Sequence, residues 1–320
     1  MSGALRLVID TDTASDDAVA LMLALADPLV SIDAITVVAG NVPLPLAVRN
    51  ALVTCDVMGR ADVPVHAGCA HPLTRPLETA QDVHGPDGMG GATLPEPSRA
   101  VVDEHAVLAL LRLAADAPGE RTLITLGPLT NVAAALTIDP ELLDKFEHTW
   151  CMAGVSDANG NVTGSAEFNV WADPEACRIV LRAASPERVT FVGWDVSRKH
   201  AVVRPQEQAA LVALGTERSD FVQRINVAVD HYCRTVTGLP GYDLPDPITV
   251  AAVLRPELVT ATEIAHVLVA LDDIGRGTLV IDRRPGAPSA PNLRLVTAMD
   301  GDGFLRLLFE MCAGGTQIDG

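Results

Sequence analysis

Lysine is almost missing from this 320-residue chain: Lys145 and Lys199 are the only two, and 23 Lys+Arg against 41 Asp+Glu leave a formal charge of −18. A chain this acidic repels nucleic acid and anionic membrane surfaces, which excludes both as partners and points to a substrate that is neutral, small or held through a metal. Aromatic residues make up only 3% while 48% are hydrophobic, so the interior must be built from Ala, Val and Leu. No apolar run approaches the roughly 18 residues of a membrane span. Met1 leads almost directly into an apolar strand segment, with no room for a signal peptide, which predicts a cytoplasmic protein. Cys55, Cys69, Cys151, Cys177, Cys233 and Cys312 are widely scattered, without CxxC or zinc spacing, so each is expected as a buried reduced thiol. Internal repeats, heptads and linker-like stretches are also lacking, which favours one domain over residues 1–320.

What is present begins at Leu5. A short apolar run through Ile9 enters Asp10-Thr11-Asp12-Thr13-Ala14-Ser15-Asp16-Asp17 and then an apolar stretch, Ala18 to Leu25, with helical character. Four carboxylates therefore gather where a strand ends and a helix begins. Such a cluster repels itself and resists desolvation unless a cation or a function maintains it. A hard divalent ion with oxygen ligands is the simplest solution. Asp16 and Asp17 alone would be explained as complements to a helix N-terminus behind a Ser15 cap, but that leaves Asp10 and Asp12 without a reason.

Strand and helix then alternate. Strands are expected at Ser31–Val38, Val63–Gly68, Thr122–Leu126, His148–Gly154 and Arg188–Val192. Helices are expected near Leu44–Met58 and Val101–Ala115, from Leu129, from Asp173, through most of Pro205–Thr237, from Asp246 and over Asp300–Met311. Thr262–Thr297 has β-type alternation. This order predicts an α/β fold with a mainly parallel central sheet flanked by helices. Two long loops interrupt it: Cys69–Ala100, which carries Asp82-Val83-His84-Gly85-Pro86-Asp87-Gly88, and the segment with Asn159-Gly160-Asn161 and Glu167-Phe168-Asn169. Loops of this length in a compact domain usually carry function.

Taken in order, Asp10-Thr11-Asp12, Asp16-Asp17, Gly40-Asn41, His84-Gly85, Leu126-Gly127-Pro128-Leu129-Thr130-Asn131, Met152, Glu167-Phe168-Asn169 and Asp246-Pro247 resemble the nucleoside hydrolases, the inosine-uridine preferring ribonucleoside N-glycosidases. The resemblance covers most of the chain and implies a Rossmann-like fold, a tightly bound Ca²⁺ and a ribonucleoside substrate. It implies that Asp12, Asp17, the Leu126 carbonyl and Asp246 hold the ion, with Asp10 close by. It places Asp16, Asn41, Met152, Asn161, Glu167, Phe168, Asn169 and Tyr232 against the substrate, makes Asp12 the general base and adds Asn169 and His84 to the catalytic set. A homo-oligomer, dimer or tetramer, is a further implication. The chemistry suits these residue types, because an oxocarbenium-like ribosyl needs negative charge near the ring and a water poised at C1′.

One position departs from the pattern. Many members carry a His immediately before the last metal-binding Asp, as proposed acid for the leaving base, and here that residue is Pro245. Candidates to replace it are His84, His231, Tyr232 and Asp243. Two other readings compete: a haloacid-dehalogenase-like magnesium phosphatase, which would want Thr or Val at Ala14 and a downstream lysine, and a nucleoside-binding sensor without turnover. An EF-hand fails, since its glycine and distal Glu are absent.

Overall fold

The computed structural model describes residues 4–314. The opening strand, β1 (Leu5–Thr11), is buried through Leu7, Val8 and Ile9, as a near-continuous apolar strand must be when helices cover both its faces. Five more strands follow: β2 (Val30–Val37), β3 (Val65–Ala67), β4 (Thr122–Thr125), β5 (His148–Met152) and β6 (Val189–Val192). All pair in parallel, in the order β3-β2-β1-β4-β5-β6. β7 (Val202–Val203) and β8 (Tyr242–Asp243) form a separate antiparallel ladder. The β-rich tail becomes β9 (Val259–Val269), β10 (Leu279–Asp282) and β11 (Leu293–Met299). β11 joins β6 in parallel and β9 and β10 add antiparallel, completing a nine-stranded sheet.

Two apolar clusters lie on opposite faces of this sheet. One packs the helices Ser15–Ala26, Leu44–Val57, Pro245–Leu254 and Gly301–Ala313; the other packs Ala106–Asp116, Thr130–Ile138 and Pro174–Ala183. The result is an α/β fold with a mainly parallel central sheet between two helical layers. Among the described residues no helix is long and apolar enough to cross a membrane. All six cysteines are unpaired, five of them buried and Cys69 half-buried.

Three local features differ from the sequence expectation. The first helix begins at Ser15, not Ala18, because the Ala14 N–H donates to Asp17 Oδ2 (2.9 Å) and closes the first turn over the acids. The helix expected from Val101 starts at Ala106: Val102 is held by His66 in a parallel bridge, and His105 Nδ1 accepts the Val107 N–H (3.2 Å) as its cap. A helix at Trp194–His200 was not expected, since its seven residues offer only Trp194 and Val196 as apolar periodic positions.

Candidate active site

The parallel strands end on one side of the sheet, where α/β folds place their ligands, and a cavity of about 320 Å³ opens there. Its floor comes from the turn after β1. Asp16, Asp17 and Asp246 each bring one carboxylate oxygen within 4.8 Å of the others, all three buried. Asp16 and Asp17 stand in the first turn of the helix Ser15–Ala26, and Asp246 in the first turn of Pro245–Leu254. The helix-terminus explanation thus accounts for where these acids sit, but not for three of them converging.

Asp12 lies beside the triad in a slot made by two glycines. A Cβ on Gly40 would fall 2.1 Å from Asp12 Oδ2, and one on Gly127 would fall 2.7 Å from Asp12 Oδ1. The Asn41 backbone N–H donates to Oδ2 (2.6 Å), while Oδ1 is buried without any partner. Burial first, then the fields of Asp17 and Asp16, holds the Asp12 carboxyl well above the usual carboxylate range. Asp246 is raised in the same way by burial and by Asp17, Asp16 and Asp12. Asp17 is tied by Thr11 Oγ1 (2.6 Å) and by Asn41 Nδ2 (3.3 Å), yet burial and Asp16 still push it up. Asp16 Oδ1 is also buried without a hydrogen bond, and its carboxyl is pushed up to about 7, chiefly by burial. Orphaned oxygens, mutual repulsion and glycines clearing the space fit a hard divalent cation with oxygen ligands.

Asp10, placed close to the ion by the resemblance, does not line the cavity, and neither do Asp12 and Asp17; of the four acids within residues 10–17 only Asp16 does. Asp10 Oδ1 accepts Thr36 Oγ1 (2.5 Å) and Asn131 Nδ2 (2.8 Å), its Oδ2 has no partner, and burial pushes the carboxyl up to about 7. Asp16, which the resemblance places against ribose, lines the cavity and also belongs to the converging carboxylate group. The Leu126 carbonyl borders the cavity and accepts Asn169 Nδ2 (2.6 Å), which leaves its second lone pair free.

The other predicted contacts gather around the same opening. Asn41, Met152, Asn161, Glu167, Phe168 and Asn169 all line the cavity. Glu167 caps the short helix Phe168–Ala172 by accepting the N–H groups of Asn169 (2.6 Å) and Val170 (3.2 Å), it also accepts the Gly154 N–H (2.7 Å), and burial pushes its carboxyl up to about 7. Asn161 Oδ1 accepts the Phe168 N–H (3.0 Å). His84, expected within the glycine-rich loop, ends the helical turn Gln81–His84 and lines the cavity, buried, with Nδ1 2.9 Å from Ser15 Oγ. Burial lowers its pKa to about 4, so the ring is neutral. Tyr232 and Asp243 line the cavity, whereas His231 is exposed and does not.

Sequence reasoning missed the residues that hold the acids. Asn131 reads as a helix start, yet it is fully buried and bonds Asp10, the Val37 carbonyl (3.2 Å) and the Cys69 N–H (2.9 Å). Asn50 ties the Thr13 carbonyl (3.0 Å) to the Asp87 carbonyl (2.9 Å), fastening the glycine-rich loop to the acidic turn. Neither has a local signal, because the partners lie up to 121 residues away. Against the phosphatase reading, no Lys or Arg among the described residues lines the cavity to take a phosphate.

Comparison with known proteins agrees with this geometry. Residues 7–306 match the family described as inosine-uridine preferring nucleoside hydrolase. A pyrimidine-specific ribonucleoside hydrolase, RihA of Citrobacter koseri, is 35% identical over 97% of this chain and 98% of its own length. A plant nucleoside hydrolase superposes with a TM-score of 0.89 at 30% identity, covering 98% of this chain and all of that one. A purine-preferring ribonucleoside hydrolase from Gardnerella vaginalis gives 0.89 at 29% identity, over 97% of this chain and 98% of its own.

Proposed function

Because this chain belongs to the inosine-uridine preferring nucleoside hydrolase family, we propose that it hydrolyses the N-glycosidic bond of ribonucleosides to ribose and a free purine or pyrimidine base, with Ca²⁺ at its acidic floor. The observation that carries this reading is Asp12, fixed through one oxygen by the Asn41 N–H and left with the other buried and unpartnered beside three converging carboxylates. Asp12, Asp17, Asp246 and the Leu126 carbonyl would hold the ion, with Asp10 and Asp16 adding charge nearby. When bound, Ca²⁺ would offset that charge, favour ionisation of water and anchor the ribose hydroxyls.

The chain's own groups do the rest. Asp12 Oδ1 accepts the proton of the attacking water as C1′ gains positive charge, and a bound cation would offset the burial and the fields of Asp17 and Asp16 that otherwise hold this carboxyl protonated. Asn41, Asn161, Glu167 and Asn169, with Asp16, face the ribose hydroxyls. A sugar lacking the 2′-hydroxyl leaves buried polar groups unpaired and is a poor substrate. Met152 and Phe168 pack beside the ring, while His84 and Tyr232 border the leaving base. The family also suggests a dimer or tetramer, which light scattering would size.

The test is release of reducing sugar from inosine, adenosine, guanosine, uridine, cytidine and 2′-deoxyuridine, with and without a calcium chelator and beside Asp12→Ala. Calcium-dependent, Asp12-dependent release from the ribonucleosides is expected. Binding without release from any of them would refute the hydrolase reading for the common ribonucleosides.

A further inference from the structure

Between Val155 and Ala166 the chain runs along the edge of the cavity without burying a side chain: none of residues 156–165 is buried, and Asp157, Ala158 and Asn159 are exposed. Yet this loop brings Asn161 and Val162 into the cavity lining. A segment with so little apolar contact takes its position from polar ties.

Those ties come from one short helix, Trp194–His200. Asp195 accepts the Ser156 N–H (2.9 Å) and the Ser156 hydroxyl (2.6 Å). One turn on, Arg198 donates to the Asn159 carbonyl (2.7 Å) and pairs with the Asp157 carboxylate, which Lys199 also approaches (3.3 Å). The Arg198 guanidinium lies 5.1 Å from the centre of the Trp194 ring, itself part of the cavity lining, and its side chain is only 11% exposed. A guanidinium suits this place because its rigid fork meets two acceptors while its flat face rests on an aromatic ring.

Arg198 therefore bridges the one strained point of the loop. Ala158, between its two partners, has φ +55° and is the only non-glycine residue with positive φ among the described residues. Contact of Cβ with the carbonyl that follows disfavours this conformation for any L-residue. Without the bridge from Asp157 to Asn159, Ala158 returns to negative φ and the chain beyond it is redirected. Asn161 stands three residues on. Its Oδ1 accepts the Phe168 N–H (3.0 Å) and its own N–H donates to the Ala166 carbonyl (3.1 Å), while Nδ2 has no partner among the described residues and remains for a ligand.

We propose that Arg198 is a positioning residue of this site: by holding Asp157 and Asn159 it keeps Ala158 left-handed and so aims Asn161 at the sugar of a ribonucleoside. The assignment rests on the hydrolase reading above and on Asn161 meeting the ribose. Arg198 does not itself line the cavity, so its loss acts on binding through the loop and leaves the acidic floor as it is.

The experiment measures kcat and KM in the calcium-loaded enzyme, with whichever of inosine, guanosine, adenosine, uridine and cytidine the wild type cleaves fastest. Arg198→Ala and Asn161→Ala are each expected to raise KM about tenfold with kcat within about threefold of wild type, and the double variant to be no worse than Asn161→Ala alone, since both remove one contact. Lys199→Ala, which removes a charge beside the same carboxylate but leaves the Asn159 carbonyl held, is expected to match wild type. Glycine takes positive φ without strain, so adding Ala158→Gly to Arg198→Ala is expected to recover part of the lost affinity. Should Arg198→Ala fail to fold, Asp157→Ala breaks the bridge from the exposed side and is expected to raise KM in the same sense. An unchanged KM in either folded variant, a loss in Arg198→Ala that multiplies with that of Asn161→Ala, or no recovery on adding Ala158→Gly overturns this inference and leaves the hydrolase reading standing. An unchanged KM in Asn161→Ala overturns the sugar contact and this inference together. No turnover of any of the five by wild type overturns the hydrolase reading for the common ribonucleosides and this inference with it.

Discussion

Asn131 offers the sharpest test of how the acidic floor is supported. Its side chain is fully buried and makes three hydrogen bonds, to Asp10 Oδ1 (2.8 Å), the Val37 carbonyl (3.2 Å) and the Cys69 N–H (2.9 Å). Asn131→Ala removes all three and leaves Asp10 with Thr36 as its only donor. At about 1 kcal/mol for each bond to a neutral group and about 2 for the bond to a carboxylate, the loss is about 4 kcal/mol. With an unfolding entropy of about 2.1 cal/mol/K per residue, a chain of this length has about 0.7 kcal/mol/K, and Tm falls by about 6 °C. Differential scanning calorimetry of the metal-free protein measures this directly.

Asn131→Asp keeps the shape and isolates the charge. A second carboxyl would stand 2.8 Å from an Asp10 oxygen, in a place where burial already pushes Asp10 up to about 7. The folded protein then binds more protons than the unfolded chain between about pH 4 and 7, so the variant loses stability as pH rises through that window. Its Tm deficit against wild type should widen from pH 5 to pH 8. A deficit under about 1 °C for Asn131→Ala, or one that narrows with pH for Asn131→Asp, would show that Asn131 does not carry the floor.

Three further expectations follow from the same geometry. The metal-free protein should gain stability when pH drops from 8 to 5, because the folded-state values of about 7 at Asp10, Asp16 and Glu167 lie above those of the unfolded chain; added CaCl₂ should raise Tm more at pH 8 than at pH 5, and calorimetry showing the reverse slope contradicts the assignment. Gly40→Ala drives a methyl to 2.1 Å from Asp12 Oδ2 and 2.7 Å from Pro128 Cδ, so kcat should drop about 100-fold while circular dichroism stays near wild type; normal turnover would mean that Asp12 can shift without consequence. Asp33, between Arg6 (2.6 Å) and Arg121 (2.5 Å), has its pKa lowered against a burial effect that alone would raise it, so its roughly 1 kcal/mol of stabilisation is in place above pH 4 and is lost progressively below; the gap between wild type and Asp33→Asn in urea titrations should narrow as pH falls from 4.

The layered α/β fold was legible because β1, β2, β4, β5 and β6 are largely apolar runs of four to eight residues separated by helices, and the acids stand where β1 ends. The start of the first helix was misplaced by three residues because the turn is closed by Asp17 reaching back to Ala14, a contact without hydrophobic periodicity. The helix Trp194–His200 was invisible for the same reason, although Trp194 and its neighbour Ser197, which bonds Asp243, help build the cavity wall. Spacing along a chain records what faces the core, and supports such as Asn50 and Asn131 face other polar groups instead.

That distinction divides the site itself. The floor sits on the ends of β1 and β4 and on the first turns of two long helices, elements whose burial holds each carboxylate in place whatever the substrate. The outer wall comes from a one-turn helix at Gln81–His84, the segment Val227–Thr237 and the two-residue strand β8, all distant in sequence and weakly tied to the sheet. A change of one residue there, such as at Tyr232, alters the outer wall without moving the carboxylates of the floor. Base preference is therefore free to vary while the hydrolytic floor stays the same, and a pyrimidine-specific relative and a purine-preferring neighbour can both align with this chain along nearly its whole length.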